Sequence, residues 1–224
     1  MERRIQIHTA ESQPLFQTIG QGCDRNTHEI VVGELRLIIH PAVYPPSEDS
    51  YLLLDTVKKT EAKKILEVGC GCGLISLTLA HRNVEVVAVD VEKEACRNTL
   101  TNLKANRVQG TVHIVNGDLA TALRRNVKLD MVVSNPPYIP VEASTSEDYS
   151  WAAGEENSFS KRLLENVLPM LSASGVMFLV QSSLTDLEGL KKLIEAKGFS
   201  VEEASSKEFF FEKIVVLKIF RKRV

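Results

Sequence analysis

The sequence predicts an α/β fold: a mostly parallel sheet, crossed by helices, whose last strand runs antiparallel. Three observations lead there. Short apolar runs at 65–68, 84–89, 112–115, 130–134 and 176–180 alternate with longer stretches of helical periodicity, the pattern of right-handed βαβ crossovers. Gly69-Cys70-Gly71-Cys72-Gly73 follows the first run directly and is itself followed by the helical start Leu74-Ile75-Ser76-Leu77. The two closing strands, which begin near Phe199 and Phe209, have no helix between them, so the last must return antiparallel.

Residues 1–42 read as an N-terminal extension, with a hairpin expected where 30–32 and 35–39 flank Gly33 and Glu34. The main domain is expected over 43–224. A helix over 50–59 places Tyr51, Leu53, Leu54 and Val57 on one face. The strand 65–68, the glycine stretch and the helix from Leu74 come next, then the strand 84–89 ending at Asp90 and a helix over 92–106. A third strand, 112–115, leads into Asn116-Gly117-Asp118-Leu119 and a short helix over 119–125. The strand 130–134 precedes Asn135-Pro136-Pro137-Tyr138, and the acidic segment 140–157 reads as a loop over the site. A helix over 159–171, a strand over 176–180, a helix over 184–197 stopped by Gly198, and strands starting at 199 and spanning 209–220 complete the order. The cluster Phe209-Phe210-Phe211 reads as core or edge packing, with an aromatic surface for a partner as the alternative.

Composition narrows the classes. At 224 residues and 44% apolar content the chain can bury the core of one α/β domain. A net charge of -2 gives no broad attraction to nucleic acid. The compact basic group Lys218, Arg221, Lys222 and Arg223 reads as a solvated strand and tail. Cysteines at 23, 70, 72 and 96 lack the spacing of a zinc site, and the five histidines form no ligand pattern, so no metal is expected. Neither an apolar leader nor a membrane-spanning run is present, and a reducing cytoplasm is expected.

The chemistry is concentrated at strand ends. In Asn135-Pro136-Pro137-Tyr138 neither proline offers an N–H to a ladder, so a rigid turn lined with acceptors results. The Asn135 side-chain oxygen and the Pro136 carbonyl can accept the two hydrogens of a conjugated nitrogen, as in a carboxamide or a base amine, and turn its lone pair toward an electrophilic methyl. Pro137 shapes the turn and Tyr138 can stack on a planar acceptor. A turn that merely closes a strand is the alternative.

The glycines at 69, 71 and 73 let the backbone approach a ligand closely. A dinucleotide loop would want glycine at 76, which is serine here. Glu67, ahead of the first glycine, suits a ligand carrying an ammonium group, which S-adenosylmethionine has and a diphosphate lacks. Asp90 stands where an acid meets ribose hydroxyls, and Asp118 can accept from an adenine amine. All of these lie at carboxyl ends of strands, where open α/β sheets bind ligands.

With these motifs the chain resembles the Rossmann-like class I S-adenosylmethionine-dependent methyltransferases with a seven-stranded sheet. Within them it is similar to the HemK-type protein-glutamine methyltransferases, in particular the short archaeal and eukaryotic branch that modifies class 1 translation release factors. The resemblance runs from about Val43 to the C-terminus, through Tyr44-Pro45-Pro46-Ser47-Glu48-Asp49-Ser50, the stretch 67–73, Asp90, Asp118-Leu119 and 135–138. It implies that Ser50 lies near the methionine end of the cofactor, with Leu119 beside Asp118 in the same site. It implies that Asn135 holds the glutamine amide of a Gly-Gly-Gln peptide. It further implies a small zinc-binding activator subunit along the sheet edge near Val108, Val112 and Ile114. Two other readings stand beside it: methylation of an adenine or guanine amine in RNA or DNA, and a cofactor-binding module without catalysis.

Overall fold

The computed structural model describes residues 16–21, 27–137 and 158–222. A small antiparallel sheet comes first, made of β1 (Phe16–Gln21), β2 (His28–Val32) and β3 (Leu35–Ile39) in that order. Gly33 and Glu34 join β2 to β3, and Gly33 turns the chain with φ +59°. The helix α1 (Glu48–Val57) leads into β4 (Lys64–Val68), α2 (Leu74–Leu79), β5 (Glu85–Asp90), α3 (Lys93–Ala105), β6 (Thr111–Asn116) and β7 (Leu129–Ser134). The helix α4 (Ser158–Val167) is followed by β8 (Leu171–Ser182), α5 (Leu187–Ala196), β9 (Phe199–Glu208) and β10 (Lys213–Arg221).

Seven strands form the main sheet in the order β6-β5-β4-β7-β8-β10-β9. The pairs β5–β6, β4–β5, β4–β7 and β7–β8 are parallel, and β10 runs antiparallel to both β8 and β9. This is the seven-stranded, last-strand-reversed sheet expected of class I methyltransferases. Strand periodicity then builds two cores. Ile65, Met131, Val133, Phe178 and Val216 face α1, α2, α3 and the small sheet. Leu66, Val132, Met177, Leu179 and Leu217 face α4 and α5.

Three expectations are corrected. Residues 119–125 form successive turns rather than a helix, with Thr121 N–H bonded to Asp118 O at 3.2 Å and Leu123 N–H to Ala120 O at 2.9 Å. Leu119 sits at φ +54°, outside the right-handed region, so a helix cannot start through it. The expected helix 159–171 ends earlier: a 3₁₀ turn over Leu168–Met170 contains Pro169, and Leu171 already opens β8. The Phe209 cluster is not packed in the sheet. Phe209 N–H bonds Glu212 O at 2.7 Å across the β9–β10 turn, which leaves Phe210 91% and Phe211 84% exposed.

The small sheet is fastened to the main domain by asparagines. Asn98 and Asn102 on α3 and Asn106 at its C-cap recur every four residues, an advance of about 6 Å along a helix. Alternate residues of a strand advance about 6.6 Å, so the amides meet the open edge of β3 in step. Asn106 accepts from Arg36 N–H (2.9 Å) and donates to Arg36 O (2.8 Å). Asn102 accepts from Ile38 N–H (2.8 Å) and donates to Ile38 O (2.9 Å), and Asn98 accepts from His40 N–H (2.8 Å). Side chains thus complete an edge that would otherwise be open to another strand. Asn102 is fully buried and also donates to Cys72 O at 2.9 Å. Asn102→Ala is expected to cost about 2–4 kcal/mol, and the more exposed Asn106→Ala about half that. Thermal melts of the two variants check this; equal losses would contradict the ladder.

Candidate active site

β4 lies between β5 and β7. The chain leaves β4 toward β5 and β6 on one side and later returns to fill β7 and β8 on the other, so a switch point opens at the carboxyl ends of β4 and β7. Val68 is level with Val89 on one side and Ser134 on the other. Gly69 and Cys70 donate their N–H groups to Val89 O at 2.8 and 3.1 Å, and Ser134 Oγ donates to Val68 O at 2.8 Å. The loop 69–73 therefore leaves β4 bent over β5. It is held from α3 as well, by Thr99 Oγ1 donating to Gly71 O at 2.9 Å and by Asn102 on Cys72 O. Gly73 is left-handed (φ +88°), and a Cβ there would come within 3.0 Å of Thr99 Cγ2. A Cβ on Gly71 would meet nothing within 4 Å, so the middle of the loop faces open space.

Two acids are bonded in or next to this loop, and a third stands beyond the end of β6. Asp90, at the end of β5, accepts from Gly71 N–H at 3.0 Å and Glu92 N–H at 2.9 Å. Burial raises its pKa above the usual carboxylate value. Glu67 is buried and turned toward the start of α2, where Oε2 accepts from Ser76 N–H at 2.9 Å and from the Ser76 hydroxyl. Desolvation lifts its pKa to about 8 in spite of the two Ser76 bonds, which act to lower it. Asp118 is half exposed and pairs with Arg162 of α4 at 2.6 Å. Next to it Leu119 is buried with a left-handed backbone, the one non-glycine residue in that region among the described residues. Such strain costs on the order of 1–3 kcal/mol and gathers at ligand sites.

Asn135 stands across the crevice, at the end of β7, followed by buried Pro136. Its amide donates to Ser50 Oγ of α1 at 3.4 Å. Its Oδ1 is buried and has no hydrogen-bond partner among the described residues. A buried carbonyl left unpaired costs about 1–3 kcal/mol, so it calls for an incoming donor. The other such atoms among the described residues, His81 Nε2, Arg82 Nη2 and Ser172 Oγ, lie at the opposite edge, where strands begin. The structure thus gathers Ser50, residues 69–73, Asp90, Asn135 and Pro136 around one opening. Pro137 continues the turn, Asp118 and Leu119 stand at the end of neighbouring β6, and Glu67 lies inside against Ser76. Tyr138 and the expected loop 140–157 lie outside the described residues.

Residues 34–208 match the family model of the methyltransferase small domain. The chain belongs to that methyltransferase family. The catalytic subunit mtq2 of the eRF1 methyltransferase of Schizosaccharomyces pombe is 28% identical over 219 residues, which cover 85% of this chain and 94% of that protein. A release factor glutamine methyltransferase of Clostridium botulinum is 30% identical over 145 residues, covering 59% of this chain and 51% of its own length. Among solved structures, the E. cuniculi Mtq2–Trm112 complex, responsible for methylation of the translation termination factor eRF1, superposes with a TM-score of 0.65 at 22% identity. The match covers 81% of this chain and 99% of that one.

Several residues that shape the site of this methyltransferase went unassigned in the sequence reading: Ser76 under Glu67, Ser134 on Val68, and Thr99 and Asn102 on the loop. The α3 pair did leave a signal. Asparagine and threonine are poor residues for a helix interior, and Asn98, Thr99 and Asn102 close together within one helix mark side chains bonded elsewhere. Glu67 also has a consequence for stability. Its pKa is raised from 4.5 to about 8, so the folded chain holds a proton that the unfolded chain releases, and this contribution, full below pH 4.5, fades as pH rises through 8. Glu67→Gln is expected to flatten the fall in melting temperature across that interval. A slope unchanged from the parent would assign the pH dependence to other groups.

Proposed function

We propose that this methyltransferase transfers a methyl group from S-adenosylmethionine to the side-chain amide nitrogen of a glutamine, in the Gly-Gly-Gln segment of a class 1 peptide chain release factor. The observation that carries the proposal is the buried, unpartnered Oδ1 of Asn135 beside a proline that has no N–H to offer. Such an edge takes the two hydrogens of a carboxamide, one on Asn135 Oδ1 and one on the Pro136 carbonyl, and has no competing donor in the proline pair. Holding both hydrogens draws the nitrogen lone pair out of conjugation and aims it across the crevice. The release-factor acceptor is supported by what the fission yeast and Clostridium relatives are named for.

In this reading the open space at Gly71 admits the cofactor, whose role is to supply an electrophilic methyl. Gly69, Gly71 and Gly73 would let the loop backbone approach it, and Ser50 would hold its methionine end. Asp90 would take the ribose hydroxyls, and Asp118 and Leu119 would hold the adenine. Glu67 acts from within: bonded to Ser76, its buried carboxyl anchors the start of α2 behind the loop.

A partner subunit fits the outer strand β6, which has β5 as its single neighbour in the sheet order and carries half-buried Val112 and Ile114, with Val108 just ahead of it. The related Mtq2 is found with Trm112. We place the enzyme in a reducing cytoplasm, in keeping with the free thiols Cys70, Cys72 and Cys96. No helix of the described residues is long and apolar enough to cross a membrane.

Two experiments test the proposal. With radiolabelled cofactor, label should enter a purified class 1 release factor and disappear when its Gly-Gly-Gln glutamine is replaced, and Asn135→Ala should lower transfer at least about a hundredfold while cofactor binding stays nearly intact. Label on RNA or DNA alone would overturn the acceptor. Expressed alone, the chain should be poorly soluble or weakly active, and coexpression with a small Trm112-type subunit should raise both; full activity as a monomer would count against that partner.

A further inference from the structure

We propose that Asp49 is a positioning residue: through the hydroxyl of Ser50 it decides which way the Asn135 amide faces. This inference rests on the acceptor chemistry proposed above for Asn135. Asp49 is buried in the first turn of α1. Its Oδ1 accepts from Ser50 N–H at 2.6 Å and from Ser50 Oγ–H at 3.2 Å. A serine hydroxyl has one proton and two lone pairs. With the proton given to Asp49, Ser50 Oγ can only accept, and it does so from Ser47 N–H at 3.4 Å and from Asn135 Nδ2 at 3.4 Å.

The two ends of an asparagine amide have nearly the same shape, so packing alone does not choose between them, and the hydrogen-bond network must. Turned the other way, Oδ1 of Asn135 would face an oxygen with no proton to offer, while the NH₂ group would face the acceptor nitrogen's own hydrogens. Both contacts would be repulsive. The chain of donors from Asn135 to Ser50 to Asp49 admits one orientation, with NH₂ toward α1 and Oδ1 toward the crevice. At 3.4 Å the Asn135–Ser50 contact is long, so its role is direction more than energy.

Without Asp49, the Ser50 proton becomes free to turn toward Asn135 Oδ1, and the amide can reverse. The same logic predicts a reversal of effect for a carboxylate at position 135. In Asn135→Asp the new carboxylate meets a hydroxyl whose proton is already given to Asp49, with a second negative charge behind it. Removing the Asp49 charge then frees Ser50 to donate to the carboxylate, whose second oxygen remains for the acceptor.

The test combines a structural and a kinetic measurement on the full chain. In ¹⁵N-labelled protein, the side-chain NH₂ protons of Asn135 should show nuclear Overhauser contacts to the Ser50 β-protons, and these should vanish in Asp49→Ala. Their absence from the parent, or their survival in a folded Asp49→Ala, overturns the inference whatever the acceptor turns out to be. In transfer assays Asp49→Ala and Ser50→Ala should each lower kcat about tenfold or more with the cofactor KM changed less than about threefold, and Ser50→Thr should restore most of the rate. The double variant Asn135→Asp/Asp49→Asn should exceed Asn135→Asp alone by about fivefold or more, a sign of coupling that a purely structural Asp49 would not give. A double variant no better than the single one overturns the inference, and Ser50→Ala decides the matter if Asp49→Ala fails to fold. If the parent transfers no label to a Gly-Gly-Gln glutamine, the proposed function falls while the magnetic resonance result still decides the orientation.

Discussion

The parallel pairing of β4 with β5 on one side and β7 on the other sets the level from which everything at the site departs. Val68, Val89 and Ser134 stand abreast, so three chain exits emerge side by side at the carboxyl edge of the sheet. A slip of a single residue in either pairing would turn every side chain of that strand to the opposite core. The apolar sets on the two faces, Ile65 with Met131 and Val133 against Leu66 with Val132, make such a slip costly. Positions at the site are therefore fixed by packing well away from it.

On that base the polar groups divide into those that hold the scaffold and one that awaits a ligand. The loop 69–73 is bonded from β5 through Val89 and from α3 through Thr99 and Asn102. Asn102 reaches β3 as well, so the small sheet and the glycine loop share a support. Asp90 and Glu67 lie in partly or wholly dehydrated surroundings that raise their pKa values, and both are bonded to groups in or next to the loop. Against this satisfied background, an open Asn135 Oδ1 is a pre-organised acceptor: the cost of leaving it unpaired is met when a donor arrives. Catalysis by positioning asks for such a group to be fixed in advance, and the Ser50 and Asp49 contacts fix its direction.

Much of this was legible in the residues. The order of strands and helices, the reversed last strand, the glycine loop and Asn135-Pro136 followed from periodicity and from what proline and glycine permit locally. Where local signals pointed elsewhere, the structure departed. The helix read over 119–125 fails because Leu119 is held left-handed at the carboxyl edge by its surroundings, against its own preference. Phe209, Phe210 and Phe211 look like strand residues by propensity, but the antiparallel register of β10 on β9 puts them in the turn. Glu67 was placed correctly on its strand, and its bond to Ser76 was not foreseen.

By itself, the sequence determined the α/β class and the placing of Glu67, Asp90, Asp118 and Asn135 at or near strand ends, because each depends on backbone geometry and periodicity within a few residues. The tertiary structure alone decided which polar groups meet. Asn135 and Ser50 are 85 residues apart in the chain, and Asn102 and Ile38 are 64 apart. Whether a buried carboxylate serves as a ligand contact or as a brace, and which end of an amide faces the crevice, depends on neighbours brought in by the fold, and the strength and direction of a hydrogen bond are set by those neighbours rather than by the residue that carries it.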